Sequence, residues 1–336
     1  MGNNSFGIDL GTSNIKIYSR NEDSVMIEKN MIAIENKDTL FAYGNSAFEM
    51  YENPPGYIHI SYPISNGVIA DIKHMETLIR YFIGNIWKNN IKPADYYIAV
   101  PTDVTDVERR AFYDLVSDAN IKAKKVMIVE KAVADGLGMD IDVKNSQGVL
   151  VVNVGYDTTE ISILSLGGIV LSRLIKVGGQ KFDDAIRAAV RREFSLIIGG
   201  KTAENVKISL KDLEKAGKSA VVYGRDIVTG LPVEREIPTP LVDESLTEHF
   251  NTIIDNVKVI LERTPPELAA DIYRHGLYLT GGAAQVNHLA ELLSSGTGLK
   301  VQLSDNPMSS VALGLAKVIR EENYKSVAYA VEGMGK

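Results

Sequence analysis

The chain reads as an α/β protein of two domains that face one cleft. Three observations carry that reading. At 336 residues the sequence is roughly two ordinary domains long. Apolar strand-like runs alternate with helical periodicities along most of it. One hairpin design also occurs twice, near residues 6–19 and near residues 149–168, each time with an acid or amide just before a glycine turn.

The elements follow in order. In "FGIDLGTSNIKIYS", Ile8 and Leu10 alternate before Gly11-Thr12, and Ile15 and Ile17 alternate after it, which predicts a hairpin. A helix is expected near residues 73–88 ("KHMETLIRYFIGNIWK"), then a strand ("DYYIAVP"). A helix ("TDVERRAFYDLVSDA") capped by Asp103 or Thr105 and a strand ("KKVMIVE") come next. Another helix starts near Glu130 and closes at Gly136 or Gly138. "VLVVNVGYDTTEISILSLGG" repeats the hairpin and leads into a third strand. "GGQKFDDAIRAAVRREFSLIIGG" is a helix between glycine pairs, and "TAENVKISL" opens another with Thr202 as its cap. "ESLTEHFNTIIDNVKVILERT" sets Ile253, Ile254, Val257, Ile260 and Leu261 on one helical face. Pro265 and Pro266 restart the chain as a new helix. "HGLYLTGGAAQVNHLAELLSSGTG" reads as strand, glycine turn and helix, and "VALGLAKVIRE" as a late helix. The last dozen residues are expected to fray. With no long linker, the two halves are expected to touch.

Composition narrows the function. Hydrophobic residues at 45% and charged residues at 24% are those of a soluble globular protein. A net charge of -7 and a pI near 5.4 argue against a nucleic-acid partner. With no cysteine, disulfides and thiolate metal sites are excluded. No run is apolar enough to span a bilayer, and the start has no signal-peptide pattern, so cytoplasmic residence is the expectation.

Glycine turns follow strands three times, in "DLGTSN", "NVGYDTTE" and "LTGGAA". Such turns expose backbone N–H groups, and threonine hydroxyls add donors, so two facing turns can grip a polyphosphate. A third turn, opening a helix, can pass under a nucleoside. No Walker lysine motif is present.

The stretches "GIDLGTSN", "VIADIKHMETLIRYFI", "SILSLGGIVLSRLIKVGGQKFDDAI", "LIIGGKTAENVKISL", "GRDIVTGLP" and "ILERTPPELAADI" closely resemble the MreB family of bacterial actins. The likeness runs from about residue 6 to about residue 318. It implies an actin-like ATPase fold, two domains each with two subdomains around a nucleotide cleft, holding ATP or ADP with Mg²⁺. The expected division is residues 1–145 and 146–304, with 305–336 packing back on the first domain. It also implies self-assembly into filaments, attachment to the inner face of the membrane and control of cell shape. The Asn-, Lys- and Ile-rich drift suggests one of several paralogues, in a wall-less helical bacterium where such proteins serve shape and swimming.

Carried over by residue, Gly11, Thr12, Ser13 and Asn14 match the first phosphate hairpin, and Gly155, Tyr156, Asp157 and Thr158 the second. Gly179 matches a glycine of the cleft. Glu204, Asn205, Lys207 and Ile208 match the helix that meets ribose and base, although Glu204 and Lys207 alone would read as a surface i, i+3 pair. Gly281, Gly282, Ala283 and Ala284 match the adenosine-side turn. Asp9 matches the carboxylate that orients water around Mg²⁺.

The chain departs from the family pattern in three places. Asp-Ile-Gly-Gly-Gly-Thr becomes Asn153-Val-Gly-Tyr-Asp-Thr158, so the metal-facing aspartate is Asn153 and Asp157 is the replacement charge. Glu-Glu-Pro becomes Glu130-Lys131-Ala132, which puts a lysine where the family's water-positioning glutamate falls. A protonated lysine accepts no proton, and losing a positioned base typically costs about 10²–10⁴ in rate. Glu130 is the substitute if Lys131 swings to solvent. The membrane element is also reduced to Ile91 with Trp87 nearby, and Trp87 reads slightly better as core. The expectation is therefore a filament protein with slow ATP hydrolysis. The alternative is a non-hydrolysing scaffold that co-assembles with active MreB paralogues. A small-molecule kinase would need a sugar pocket and a substrate-facing carboxylate, for which no motif is seen.

Overall fold

The computed structural model describes residues 4–36 and 39–331. The expected fraying at 332–336 and the polar start at 1–3 lie outside the described residues.

Two sheets dominate. The first has six strands, in spatial order Ala328–Tyr329, Ala123–Glu130, Ala94–Val100, Ser5–Leu10, Asn14–Ser19 and Ser24–Lys29. The second has five, in order Val301–Leu303, Leu277–Thr280, Val149–Val154, Thr159–Ser165 and Gly168–Ile175. In both, the first strand of the repeated hairpin pairs antiparallel with its partner and parallel with the strand on its other side. The duplicated hairpin is thus a duplicated sheet topology. Both leading strands are buried along their whole length, and Val149–Val154 accordingly reads as a near-continuous apolar run.

The helices fall close to where periodicity placed them. One runs Ile72–Ile86 and is capped by Asp71, whose side chain accepts from His74 N. Asp106–Asp118 carries a full capping box between Thr105 and Glu108, so Thr105, not Asp103, is its cap. In Thr239–Glu262 the stripe Ile253, Ile254, Val257 and Ile260 is buried. Pro266–His275 begins where the proline pair predicted.

Two expectations need correction. The helix after "IIGG" spans Gly200–Ala216, so Thr202 lies inside it and Gly199 occupies the cap position without a side-chain bond. The C-terminal segment does not simply fray: Tyr329 and Ala328 pair with Ile128 and Val129 and extend the first sheet.

Between the sheets lie two crossing helices, Lys131–Gly138 and Ser310–Arg320. Their approach is so close that a Cβ on Gly314 would sit 1.8 Å from Ala134 O, and one on Gly138 1.9 Å from Ser310 O. Only glycine permits this crossing. The pair shares a core with Tyr18 and Val129 of the first sheet and Val151 and Leu164 of the second. The two sheets are therefore joined through apolar packing beneath the facing hairpins. Among the described residues no helix is long and apolar enough to cross a membrane.

Candidate functional site

The two glycine turns face each other across a cavity of about 450 Å³. Gly11, Thr12, Ser13 and Asn14 line it from the first hairpin, and Gly155, Tyr156, Asp157 and Thr158 from the second. Gly11 N bonds to Asn14 O at 3.1 Å, and Gly155 N to Thr158 O at 2.9 Å, so both turns close the same way. Gly179, Glu204, Lys207, Ile208, Gly281, Gly282 and Ala283 complete the wall with Asp9, Lys131 and Asn153. Gly281 holds φ at +96°, and a Cβ there would meet Val154 O at 2.3 Å and Asn153 Oδ1 at 2.5 Å. That turn therefore needs glycine to pass beneath the cavity.

The register of each hairpin sets the charges on the cavity floor. Asp9 and Lys16 are direct cross-strand partners, and Lys16 Nζ donates to Asp9 Oδ2 at 2.9 Å. At the same position of the second hairpin, Asn153 is the partner of Glu160. Glu160 is nearly buried, and Lys131 Nζ donates to its Oε1 at 2.6 Å. Its Oε2 accepts from Thr102 N at 3.0 Å and Thr102 Oγ1 at 3.2 Å. Burial by itself pulls the Lys131 ammonium down, but Glu160, with Asp9 and Asp135 nearby, outweighs it and holds the group above the ordinary lysine value. Lys131 is thus a fixed cation, and both oxygens of Glu160 are occupied.

Asn153 points its amide into the protein. Nδ2 donates to Asp135 Oδ2 at 2.6 Å, and Ser310 Oγ donates to Asp135 Oδ1, also at 2.6 Å. Burial pushes the Asp135 carboxyl up to about 7, against the pull of Lys131. Lys207 is also buried, with Nζ 2.7 Å from Asp183 Oδ1 and 3.4 Å from Gly179 O. Burial raises Asp183 to about 6 despite that partner.

Residues 3–327 match the family described as MreB/Mbl protein. The chain belongs to the MreB/Mbl family. It is 35% identical over 312 residues to the cell shape-determining protein Mbl of Bacillus subtilis, covering 92% of this chain and 93% of that one. It is 34% identical over 328 residues to the cell shape-determining protein MreB of Escherichia coli, covering 95% and 94%. Among solved structures, MreB5 of Spiroplasma citri bound to ADP superposes with a TM-score of 0.88 at 33% identity, covering 97% and 98%. The actin-like fold extends to a MamK double helical filament at 20% identity and a TM-score of 0.78.

The geometry of this MreB/Mbl chain departs from several of the sequence expectations. Glu130 faces away from the cavity: its Oε1 accepts from Arg109 Nη1 at 2.5 Å and from Tyr329 OH at 2.6 Å. It cannot substitute for Lys131, since Lys131 does not swing to solvent and Glu130 is engaged elsewhere. Asn205 is exposed outside the cavity wall, and Ala284 packs in the core of the second sheet. Lys207 is no surface pair with Glu204, because its partner is Asp183. Trp87 and Ile91 are both half-buried against the core of the first sheet, with Trp87 edge-on to Phe6 at 5.8 Å.

Lys16, Thr102, Glu160, Asp135 and Asp183 were missed from the sequence. Lys16 and Glu160 carried a usable signal, because each lies seven residues after the acid or amide that precedes its turn. In a tight hairpin that spacing makes them cross-strand neighbours.

Proposed function

We propose that this MreB/Mbl-family chain is a cytoskeletal protein that holds ATP or ADP between its two hairpins and assembles into filaments that govern cell shape. It turns ATP over slowly. In this reading residues 1–145, with 305–336 returning to them, form one domain and 146–304 the other. Self-assembly, and co-assembly with MreB paralogues, take place in the cytoplasm.

The observation that carries slow turnover is the Lys131–Glu160 pair. Where the family pattern has a base beside the γ-phosphate, this chain has an ammonium clamped by a carboxylate that is hydrogen-bonded on both oxygens. Nucleotide binding is supported by the cavity itself and by the related structures of Spiroplasma citri MreB5 with ADP and with AMPPNP. Backbone N–H groups of the two turns and the Thr12 and Thr158 hydroxyls are the phosphate donors, and Gly281, Gly282 and Ala283 pass under the nucleoside.

The oxygen donors at the floor fit a hard divalent cation. Asp157 Oδ1 is buried without a hydrogen-bond partner, and Asp9 and Asn153 line the same cavity. Asp9 and Asp157 would hold Mg²⁺, with Asn153 as the neutral third group. The ion would supply charge compensation for the phosphates.

Calorimetric titration with ATP·Mg²⁺ and a phosphate-release assay on the same sample test the reading. Saturable binding with release slower than that of Escherichia coli MreB by about 10² or more is expected. A folded protein that binds no nucleotide would overturn it.

A further inference from the structure

The residues that replace two glycines in the second turn do more than tolerate a phosphate. Three consecutive hairpin residues reach across the cavity to residues 62–67 on the opposite side. The ring of Tyr156 lies 6.0 Å from that of Tyr62, and Tyr62 in turn packs edge-on to Tyr51 at 5.5 Å. Asp157 Oδ2 accepts from Asn66 N at 2.9 Å. Gly67, with φ at +81°, lies against Thr158, so that a Cβ there would be 3.8 Å from Thr158 Cγ2.

A second set of contacts spans the same gap. The helix Gly200–Ala216 has no side-chain cap of its own. Glu52 supplies one from the opposite side, its Oε1 accepting from Lys201 N at 2.9 Å. A carboxylate there satisfies an orphan donor and meets the positive end of the helix dipole. Lys201 returns the contact: its Nζ donates to Glu49 O at 3.2 Å and stands 4.5 Å over the Phe48 ring.

We propose that Tyr156, Asp157 and Glu52 form a cross-cleft bolt that holds the two sides closed whether or not nucleotide is bound. Opening the cleft must separate the tyrosine pair, the Asp157 bond and the Glu52 cap together, because all three join the same two bodies. A turn of glycines has no side chains with which to make the first two contacts. The bolt itself stands without the nucleotide reading; only the comparison with bound nucleotide rests on it.

The chain has no cysteine, so a spin-label pair can be placed freely. His59→Cys and Lys215→Cys are exposed positions on opposite sides of the gap. Double electron–electron resonance is measured on the labelled protein without nucleotide and with excess ATP·Mg²⁺. The same measurement is made in the Tyr62→Ala/Glu52→Ala background and in the milder Glu52→Ala background, each checked for fold by circular dichroism. A fluorescent ATP analogue reports binding in every sample. The bolt requires one narrow distance that ATP does not move, and a broader, longer distribution in both variant backgrounds without nucleotide. A distance in the unmodified background that shortens on ATP addition would overturn it. Variants that fold and keep the unmodified distribution would overturn it equally. If the analogue does not bind, the nucleotide reading fails, and the nucleotide-free arms still decide the bolt.

Discussion

Changing Lys131 to glutamate would restore the residue type of the family pattern, and the structure specifies why that change alone does not restore turnover. Lys131 Nζ and Glu160 Oε1 are 2.6 Å apart, with side chains 16% and 3% exposed. Removing one partner of such a pair leaves a buried charge uncompensated, at a cost of about 3–5 kcal/mol. Glutamate adds repulsion, because the new carboxylate faces Glu160 with Asp9 and Asp135 nearby. Against a total stability of roughly 5–15 kcal/mol for a folded protein, the loss is large. The expected order in thermal unfolding is wild type, then Lys131→Gln, then Lys131→Glu, with the last the least stable. The charge swap Lys131→Glu/Glu160→Lys recovers part of the loss, and the double-mutant cycle measures the coupling. Phosphate release does not rise in Lys131→Glu, since two carboxylates at that distance share a proton and neither is a free base. It rises in Lys131→Glu/Glu160→Gln, by at most about 10²–10⁴. A Lys131→Glu variant as stable as wild type, with faster phosphate release, would refute this account.

Three further outcomes follow from the same geometry. Asp135 is raised to about 7, so between pH ~4 and pH 7 the folded state keeps a proton that the unfolded state releases, and this group's contribution to stability falls as pH rises; Asp135→Asn should flatten the thermal midpoint over that window, whereas Asn153→Asp, which sets two carboxylates 2.6 Å apart, should steepen it. Lys207→Met strands Asp183 in a buried site and should cost about 3–5 kcal/mol, read by thermal unfolding, together with nucleotide affinity read by calorimetry. Gly281→Ala forces a Cβ to 2.3 Å from Val154 O at φ +96°, a strain of roughly 1–3 kcal/mol, and should abolish nucleotide binding while far-ultraviolet dichroism is unchanged.

Much of the architecture was legible from periodicity alone. Ile8 and Leu10 before a glycine turn, and Ile253 to Ile260 at helical spacing, are patterns that only one secondary structure can bury. The repeated hairpin was visible for the same reason, because period-two alternation about a glycine is a local signal. Turn chemistry placed Gly11–Asn14 and Gly155–Thr158 on the cavity wall, and a resemblance put names to the residues on the remaining walls. Where local cues misled, the partner was remote: Thr202 looked like a cap, but the helix begins two residues earlier and Glu52, about 150 positions away, supplies the acceptor.

The sequence by itself determined which segments form strands, helices and glycine turns, since each depends on the spacing of residues within a few positions. Only the tertiary structure decided which charges meet. Lys131 could have faced solvent or phosphate as far as its neighbours in sequence show; it faces Glu160 because the helix beginning at Lys131 passes between the two sheets and brings position 131 over the second hairpin. Glu130, one residue before, is turned to Arg109 and Tyr329 by the same placement. Coulomb energy depends on distance and on exclusion of water, and both are set by how the sheets pack, not by order along the chain.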